Sequence, residues 1–173
     1  MRTYLTATAL VVATALGAPV SAQTIVLVRH AEKADTSADP ALSDAGQARA
    51  ALLASALQGA RVSAVITSPL NRTRSTGEPT AKAAGVTALS ISMDGGQAAH
   101  VARVAAQARA AGPRDTVLIV GHSNTMPEIA RALGDPNPQA LTECDFDRMT
   151  VIQLGPDAPR AVHARYGAPS TSC

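Results

Sequence analysis

Two of the most apolar segments of the sequence end in a histidine. IVLVRH places Arg29 and His30 at the end of the first segment, and VLIVGH places His122 at the end of the second. An imidazole can act as a nucleophile or carry a proton, and a guanidinium beside it can bind an anion through two N–H groups. In open α/β sheets, ligands bind at the carboxyl ends of the strands. The pattern therefore predicts a compact cationic pocket at one sheet edge.

A third cationic residue follows another apolar segment. VSAVIT runs into SPLNR, which places Arg72 in the first turn of the helix predicted to come next. The N-terminus of a helix offers free N–H groups and the positive end of the helix dipole to an anion. An arginine there adds a fork that can bind two oxygens at once. We expect Arg72 to share an anion with the two histidines.

The elements that must position these residues alternate along the chain. Short β-branched segments predict strands at 24–29, 62–67, 115–120, 150–154 and 160–165, and Ala-rich segments predict helices at 43–58, 70–84, 96–110 and 124–133. Ser43 is a plausible N-cap of the first helix. Strands separated by helices indicate βαβ units, hence a single three-layer α/β/α domain with a mostly parallel sheet.

Length and composition limit the alternatives. A chain of 173 residues predicts one folded domain, and 46% hydrophobic residues exclude an intrinsically disordered protein. Only 2% of the residues are aromatic and the formal net charge is +2. A nucleic-acid partner is therefore not expected, because neither stacking side chains nor a basic surface is present in quantity. The sequence is silent on oligomeric state.

The first 22 residues have the pattern of a secretory signal peptide. They combine Arg2, an apolar run of roughly 12 residues that is too short to span a bilayer, and the small-residue ending Val20-Ser21-Ala22. We therefore assign residues 1–22 to a signal peptide and 23–173 to the folded domain, and expect export to a bacterial periplasm or secretion. No other segment predicts a membrane span.

Export would allow the two cysteines, Cys144 and Cys173, to form a disulfide, although two free thiols are an equal alternative. No spacing of His and Cys residues resembles a zinc site, so no metal is expected.

Three stretches together resemble the histidine phosphatase superfamily, which includes the phosphoglycerate mutases. They are LVRHAEK, TSPLNRTRST and VGHSNT, with softer matches at Leu42-Ser43-x-x-Gly46 and CDFDRMTVI. The resemblance extends from Thr24 to about Gly134. It implies a phosphoglycerate mutase-like fold and metal-independent hydrolysis of a small phosphorylated substrate without a cofactor. A phosphomonoester, a sugar phosphate of lipopolysaccharide or a phosphohistidine would fit, whereas export disfavours a glycolytic mutase.

The resemblance also implies roles for individual residues. His30 would be the nucleophile that becomes phosphorylated, and Arg29, Arg72 and a protonated His122 would bind the phosphoryl oxygens. These cations could supply the positive charge that phosphoryl transfer needs. Asn124 could add a hydrogen bond to the phosphoryl group or cap the following helix.

The general acid that protonates the leaving oxygen is not marked by a motif. Such a group is a carboxyl that carries a proton near neutral pH. Asp94 is the first candidate, because it lies between the second and third predicted helices, where related enzymes often have their acid. Glu32 is the second, because it lies close to the nucleophile in the sequence, and Glu143 and Asp145 are the third.

Two other functions use the same residues. VLIVGHSNT also resembles the nucleophile elbow of serine α/β-hydrolases, with Ser123 as nucleophile and with Asp145 or Asp147 and His163 completing a triad. Thr125 stands where that elbow needs a small glycine, and Arg29 and Arg72 would then have no role. The other alternative is a non-catalytic binder that uses the cationic pocket to hold phosphorylated ligands.

Overall fold

The computed structural model describes residues 22–170. The predicted signal peptide, except Ala22, and Cys173 lie outside the described residues. Cys144 is disulfide-bonded, and a bridge to Cys173, the only other cysteine of the sequence, stays a prediction. Within residues 22–170, no helix is both long and apolar enough to cross a membrane.

Strands and helices follow one another in the predicted order. The strands are β1 (Gln23–Arg29), β2 (Val62–Thr67), β3 (Leu89–Ser90), β4 (Thr116–Gly121), β5 (Arg148–Leu154) and β6 (Arg160–Arg165). The helices are α1 (Asp44–Ala56), α2 (Asn71–Ala84), α3 (Gly96–Arg109) and α4 (Met126–Ala132). All predicted elements are present, with boundaries shifted by a few residues. The two-residue strand β3 was not predicted.

The strands form a six-stranded sheet in the order β3-β2-β4-β1-β5-β6. β1 pairs in parallel with β4, and β2 pairs in parallel with both β4 and β3. β5 runs antiparallel to β1, and β6 runs antiparallel to β5, so only β5 opposes the common direction. The predicted mostly parallel sheet is confirmed. β1 and β4 are neighbours, which brings the two histidine-bearing strand ends together.

The core lies on both faces of this sheet. In β1, Ile25 and Leu27 pack with side chains of α3 and α4 on one face. Val26 and Val28 pack on the opposite face with residues that include Leu53 of α1. Because successive strand residues point to opposite faces, a strand covered on both sides is apolar throughout. This arrangement confirms three α/β/α layers.

The start of α1 lies against the loop that follows β1. Ser43 is the N-cap, and its Oγ accepts a hydrogen bond from the Gly46 N–H at 3.1 Å. A Cβ on Gly46 would lie 2.3 Å from the backbone oxygen of Glu32. Only glycine lets the helix approach the backbone this closely, and the contact helps hold the loop just after His30.

Candidate active site

The carboxyl ends of β1 and β4 and the first turn of α2 bring the predicted cationic residues together. Arg29, His30 and His122 are buried, with relative exposures of 1%, 4% and 6%. The ring centroids of His30 and His122 are 5.4 Å apart. The charges of Arg29 and Arg72 act on both histidines and lower the pKa of each. The four residues therefore share one electrostatic environment, as predicted.

The ring of His30 is held in one tautomer. Its Nδ1 lies 2.8 Å from the Ala31 carbonyl oxygen, which can only accept a hydrogen bond, so Nδ1 carries the hydrogen. Burial is the main cause that lowers the pKa of His30 to about 4, and the nearby Arg29 and Arg72 lower it further. At neutral pH the ring is uncharged and Nε2 has a free lone pair, which is the form a nucleophile needs.

Thr76 connects the loop that follows His30 to α2. Its Oγ1 accepts a hydrogen bond from the Ala31 N–H at 2.9 Å and donates one to the Arg72 carbonyl at 2.7 Å. Thr76 is fully buried. The hydroxyl therefore fixes the backbone after His30 relative to the helix turn that carries Arg72.

His122 is oriented by hydroxyl groups at the end of β2. Its Nε2 lies 2.9 Å from Ser68 Oγ, which lies 2.9 Å from Thr73 Oγ1. Thr73 Oγ1 donates its hydrogen to a backbone carbonyl, that of Leu70 at 2.8 Å. Ser68 then donates to Thr73 and accepts from the Nε2–H of His122. Nδ1 of His122 is left for a ligand.

Without a ligand, His122 does not carry the positive charge predicted for the phosphoryl-bound site, and that charge in the bound site stays a prediction. Burial is the main cause that lowers its pKa to about 3, and the charges of His30 and Arg72 lower it further. His122 is therefore neutral in the free protein at pH 7. A dianionic ligand would favour its protonated form, because a nearby negative charge raises the pKa of a histidine.

Arg29 is held by the loop before β5. Its Nη1 donates to the Thr142 carbonyl at 2.8 Å, and its Nη2 donates to Glu143 Oε2 at 3.1 Å. The guanidinium lies 4.3 Å from the ring centroid of Phe146, the only phenylalanine of the sequence. That ring also lies 6.1 Å from the His30 ring. Phe146 was not predicted as a site residue, although the CDFDRMTVI match contains it.

Arg72 is held by the loop between β1 and α1. Its Nη1 donates to the Ala38 carbonyl at 3.3 Å and lies 3.7 Å from Asp39 Oδ1. The same Asp39 oxygen accepts a hydrogen bond from the Asn71 N–H, so the loop also covers the start of α2.

Both arginines retain an unsatisfied donor. Within residues 22–170, the buried side-chain nitrogens that lack a hydrogen-bond partner are Nε of Arg29 and Nε of Arg72. Buried N–H groups are almost always paired in folded proteins. Two orphaned donors on the predicted anion-binding residues fit a site that is completed by an anion.

Two predicted acids lie in different surroundings. Asp94 lies in the turn before α3, at the same sheet edge as the histidines, where its carboxylate accepts from Ser92 Oγ at 2.6 Å. Its role as acid stays a prediction. Glu32 is bound by Arg49, which donates from Nε at 2.9 Å and from Nη2 at 2.7 Å. The guanidinium of Arg49 thus holds the Glu32 carboxylate against α1, and the role of Glu32 as an acid stays a prediction.

The third pair of candidate acids lies in the loop that holds Arg29. Glu143 contacts Arg29 through Oε2, and its Oε1 accepts from Ser123 Oγ at 2.7 Å. Asp145 instead accepts from the N–H and the hydroxyl of Thr142, at 2.8 and 2.7 Å, and so stabilises the loop itself. Of this pair, Glu143 is therefore the carboxylate in direct contact with Arg29, a predicted anion-binding residue.

Asn124 does not cap the helix that follows it, and its hydrogen bond to a phosphoryl group stays a prediction. Its Nδ2 donates to Gln97 Oε1 at 2.7 Å, and its carbonyl accepts from Gln97 Nε2 at 3.2 Å. The N-cap of α4 is Thr125. Asn124 therefore joins the loop after β4 to the start of α3.

The alternative serine triad is not assembled. Ser123 donates to Glu143, whereas His163 contacts Thr150 at 3.2 Å and Asp135 at 3.4 Å on the β5–β6 side. Asp147 is paired with Arg165. The order of residue types along the chain fitted a hydrolase, but the fold separates them. The described residues also contain no group of three or more His, Cys, Asp or Glu that could hold a metal ion.

Comparison with known proteins agrees with the fold and the motifs. Residues 25–94 match the model of the histidine phosphatase superfamily (branch 1). No curated protein matches the chain. The protein histidine phosphatase SixA complexed with tungstate is similar in structure, with a TM-score of 0.64, 18% identity and coverage of 82% of this chain and 96% of that chain.

Two further structures have the same fold. Mycobacterial glucosyl-3-phosphoglycerate phosphatase gives a TM-score of 0.61 at 15% identity, covering 85% of this chain and 99% of that chain. SixA from Nakamurella multipartitia gives a TM-score of 0.57 at 25% identity, covering 88% and 99%. The family match covers residues 25–94, less than half of the 173-residue chain, and the solved structures agree with it in fold.

Proposed function

We propose that this protein is a metal-independent phosphatase that forms a phosphohistidine intermediate on His30. The observation that carries the proposal is the pair of orphaned Nε–H donors on Arg29 and Arg72 beside a neutral, fixed imidazole. Phosphoryl transfer needs positioning and positive charge around the oxygens of phosphorus, together with an aligned nucleophile. The two guanidinium groups supply that charge without a metal.

The proposed reaction has two steps. In the first, the Nε2 lone pair of His30 attacks phosphorus, an Nε2–P bond forms, and the bond to the leaving group breaks. Nδ1 keeps its hydrogen and its bond to the Ala31 carbonyl, so the developing positive charge on the ring is stabilised. In the second, water attacks phosphorus and the Nε2–P bond breaks, which releases phosphate and regenerates neutral His30.

The substrate is a phosphomonoester or a phosphohistidine. The named neighbours act on both kinds of compound, one being a protein histidine phosphatase and another a sugar-phosphoglycerate phosphatase. The cationic set recognises the phosphoryl group that these substrates share, and it carries no information on the rest of the molecule. We therefore propose that the site recognises a phosphoryl group. The identity of the leaving group has to be determined by experiment.

Trapping the intermediate tests this function. The protein is mixed with p-nitrophenyl phosphate, quenched in alkali, and mapped by mass spectrometry. We expect an acid-labile phosphoryl group on His30, loss of the adduct and of turnover by about 10³-fold or more in His30→Asn, and normal turnover in the control His163→Asn. Binding of phosphate without any adduct or turnover would instead support the non-catalytic binder. Turnover retained in His30→Asn but lost in Ser123→Ala would support the serine hydrolase.

We also propose that residues 1–22 are removed during export, so that residues 23–173 form the working protein. The composition of that segment supports the proposal. Mass spectrometry of protein recovered from the periplasm or the medium should find Gln23 at the N-terminus. A chain that keeps Met1 in the cytoplasm would contradict it.

A further inference from the structure

We propose that Glu143, in the loop before β5, is the residue that transfers the proton to and from the leaving group. The inference rests on the proposed phosphatase function and adds a catalytic residue to it. It places the proton donor on a different element from Asp94, the first candidate from sequence.

Glu143 lies next to a residue that would bind the phosphoryl group. Glu143 is bound directly to the anion-binding residue Arg29, with Oε2 at 3.1 Å from Nη2. Arg29 has a side chain that is 1% exposed, whereas that of Glu143 is 70% exposed. The carboxylate therefore lies at the protein surface, with the buried guanidinium behind it. A leaving group on a phosphoryl group bound between Arg29 and His30 would have to lie on the solvent side, where Glu143 is.

The carboxylate of Glu143 is also oriented by the residue that follows His122. Ser123 follows His122 directly at the end of β4, and its hydroxyl donates to Glu143 Oε1 at 2.7 Å. One oxygen is therefore fixed by the strand end that carries His122 and the other by the strand end that carries Arg29. The Ser123 hydrogen bond does not involve Arg29, so it keeps the carboxylate at the site when a phosphoryl group occupies Arg29. Asp94, in contrast, is bonded within its own turn.

The charges around Glu143 explain how substrate binding can protonate its carboxylate. In the free protein its pKa is lowered by the Ser123 hydrogen bond and by the positive charges of Arg29 and Lys33, so the group is an anion. A bound phosphoryl dianion competes for Arg29 and places negative charge beside the carboxylate. Both changes raise the pKa of Glu143. Binding of substrate thus draws a proton from solvent onto the group.

The proton balance closes over the two steps. When His30 Nε2 bonds to phosphorus and the P–O bond breaks, the leaving oxygen takes the proton of the Glu143 carboxyl group. In the second step the carboxylate takes a proton from the attacking water as the new P–O bond forms and the Nε2–P bond breaks. Glu143 returns to the protonated state, and product release restores its contact with Arg29.

The test compares substrates that differ only in how much protonation their leaving group needs. Glu143→Gln keeps the shape and the hydrogen-bonding ability of the side chain but carries no titratable proton. We expect kcat/KM for phenyl phosphate to fall by about 10²-fold or more, because general acid catalysis contributes that much. For p-nitrophenyl phosphate, whose leaving group needs little protonation, we expect a fall of less than about threefold.

Two control variants make the result specific. Glu128→Gln changes an exposed carboxylate of α4 that pairs with Arg131, and should leave both substrates unaffected. Asp94→Asn tests the first candidate acid from the sequence. It should leave the ratio of kcat/KM between the two substrates unchanged. A substrate-selective loss in Asp94→Asn but not in Glu143→Gln would overturn the proposal.

Other outcomes also overturn it. Equal losses on both substrates in Glu143→Gln would mean that the residue only supports the pocket. If Glu143→Gln binds inorganic phosphate more tightly but leaves the ratio of kcat/KM between the two substrates unchanged, Glu143 only competes with phosphate for Arg29. If wild-type protein forms no adduct on His30, the phosphatase function itself fails, and that result is distinguishable from all of these.

Discussion

The two buried histidines of the pocket should make the fold sensitive to mild acid. The pKa is lowered to about 4 for His30 and to about 3 for His122, from an ordinary value of 6.5. Above pH 6.5 both rings are neutral in the folded and the unfolded chain, so they contribute no pH dependence. Between pH 6.5 and 4 the unfolded chain binds protons at these positions and the folded chain does not. Unfolding is therefore favoured as the pH falls through this window.

The size of the effect follows from the same values. At pH 5 an unfolded histidine is almost fully protonated, and this stabilises the unfolded chain by about 2 kcal/mol for each of His30 and His122. Together they should lower the free energy of unfolding by about 4 kcal/mol between pH 8 and pH 5. That is a large part of the roughly 10 kcal/mol by which a typical folded domain is stable. Carboxylates such as Glu143, whose pKa is lowered in the folded protein, add to the loss of stability as the pH falls further.

The assay is urea denaturation followed by circular dichroism at pH 8, 7, 6 and 5. In His122→Asn the loss between pH 8 and pH 5 should shrink from about 4 to about 2 kcal/mol, whereas Asn124→Ser, a neighbouring change without a titratable group, should keep the full loss. A wild-type protein equally stable at pH 8 and pH 5 would refute the reasoning. Saturating inorganic phosphate should reduce the loss, because the bound anion favours the protonated rings.

Two further substitutions test the supports of the site. Gly46→Ala would place a Cβ 2.3 Å from the Glu32 carbonyl oxygen, so the loop after His30 must shift. Turnover of p-nitrophenyl phosphate should therefore fall by about tenfold or more. Turnover equal to that of the wild-type protein would contradict this. Arg49→Met leaves the Glu32 carboxylate without its fork and removes the Arg49 bond to the Tyr166 carbonyl. Thermal denaturation should show a loss of about 2–4 kcal/mol, and a loss below about 0.5 kcal/mol would contradict the assigned contact.

The parts of this structure that could be predicted from sequence are those encoded locally. Apolar segments such as 24–29 predict buried strands, and the residues that follow them must lie at the carboxyl edge of a parallel sheet. That rule places His30 and His122 at the same edge of the sheet, and the pairing of β1 with β4 makes them neighbours. Ser43 could likewise be predicted as an N-cap, because the hydrogen bond it makes reaches only to Gly46.

What could not be predicted depends on contacts between distant segments. β3 is two residues long and exposed, so it has no apolar run to mark it, and it forms because β2 offers it an edge. Ser68 and Thr76 lie in a motif that resembles the family, but their hydrogen bonds reach β4 and the loop after β1. Polar residues in a helix turn resemble surface residues until their partners are known.

Proximity in the sequence was a poor guide to proximity in space for the carboxylates. Glu32 is two residues from His30, yet its side chain is bound by Arg49 of α1, because the closely packed start of that helix places Arg49 beside the loop. Glu143 is far from His30 in the sequence, and β5 beside β1 brings its loop onto Arg29. The order of the strands in the sheet therefore decides which carboxylate lies beside Arg29. Because β5 is the antiparallel neighbour of β1, the loop that enters β5 must lie at the carboxyl end of β1, and any side chain there can face the substrate.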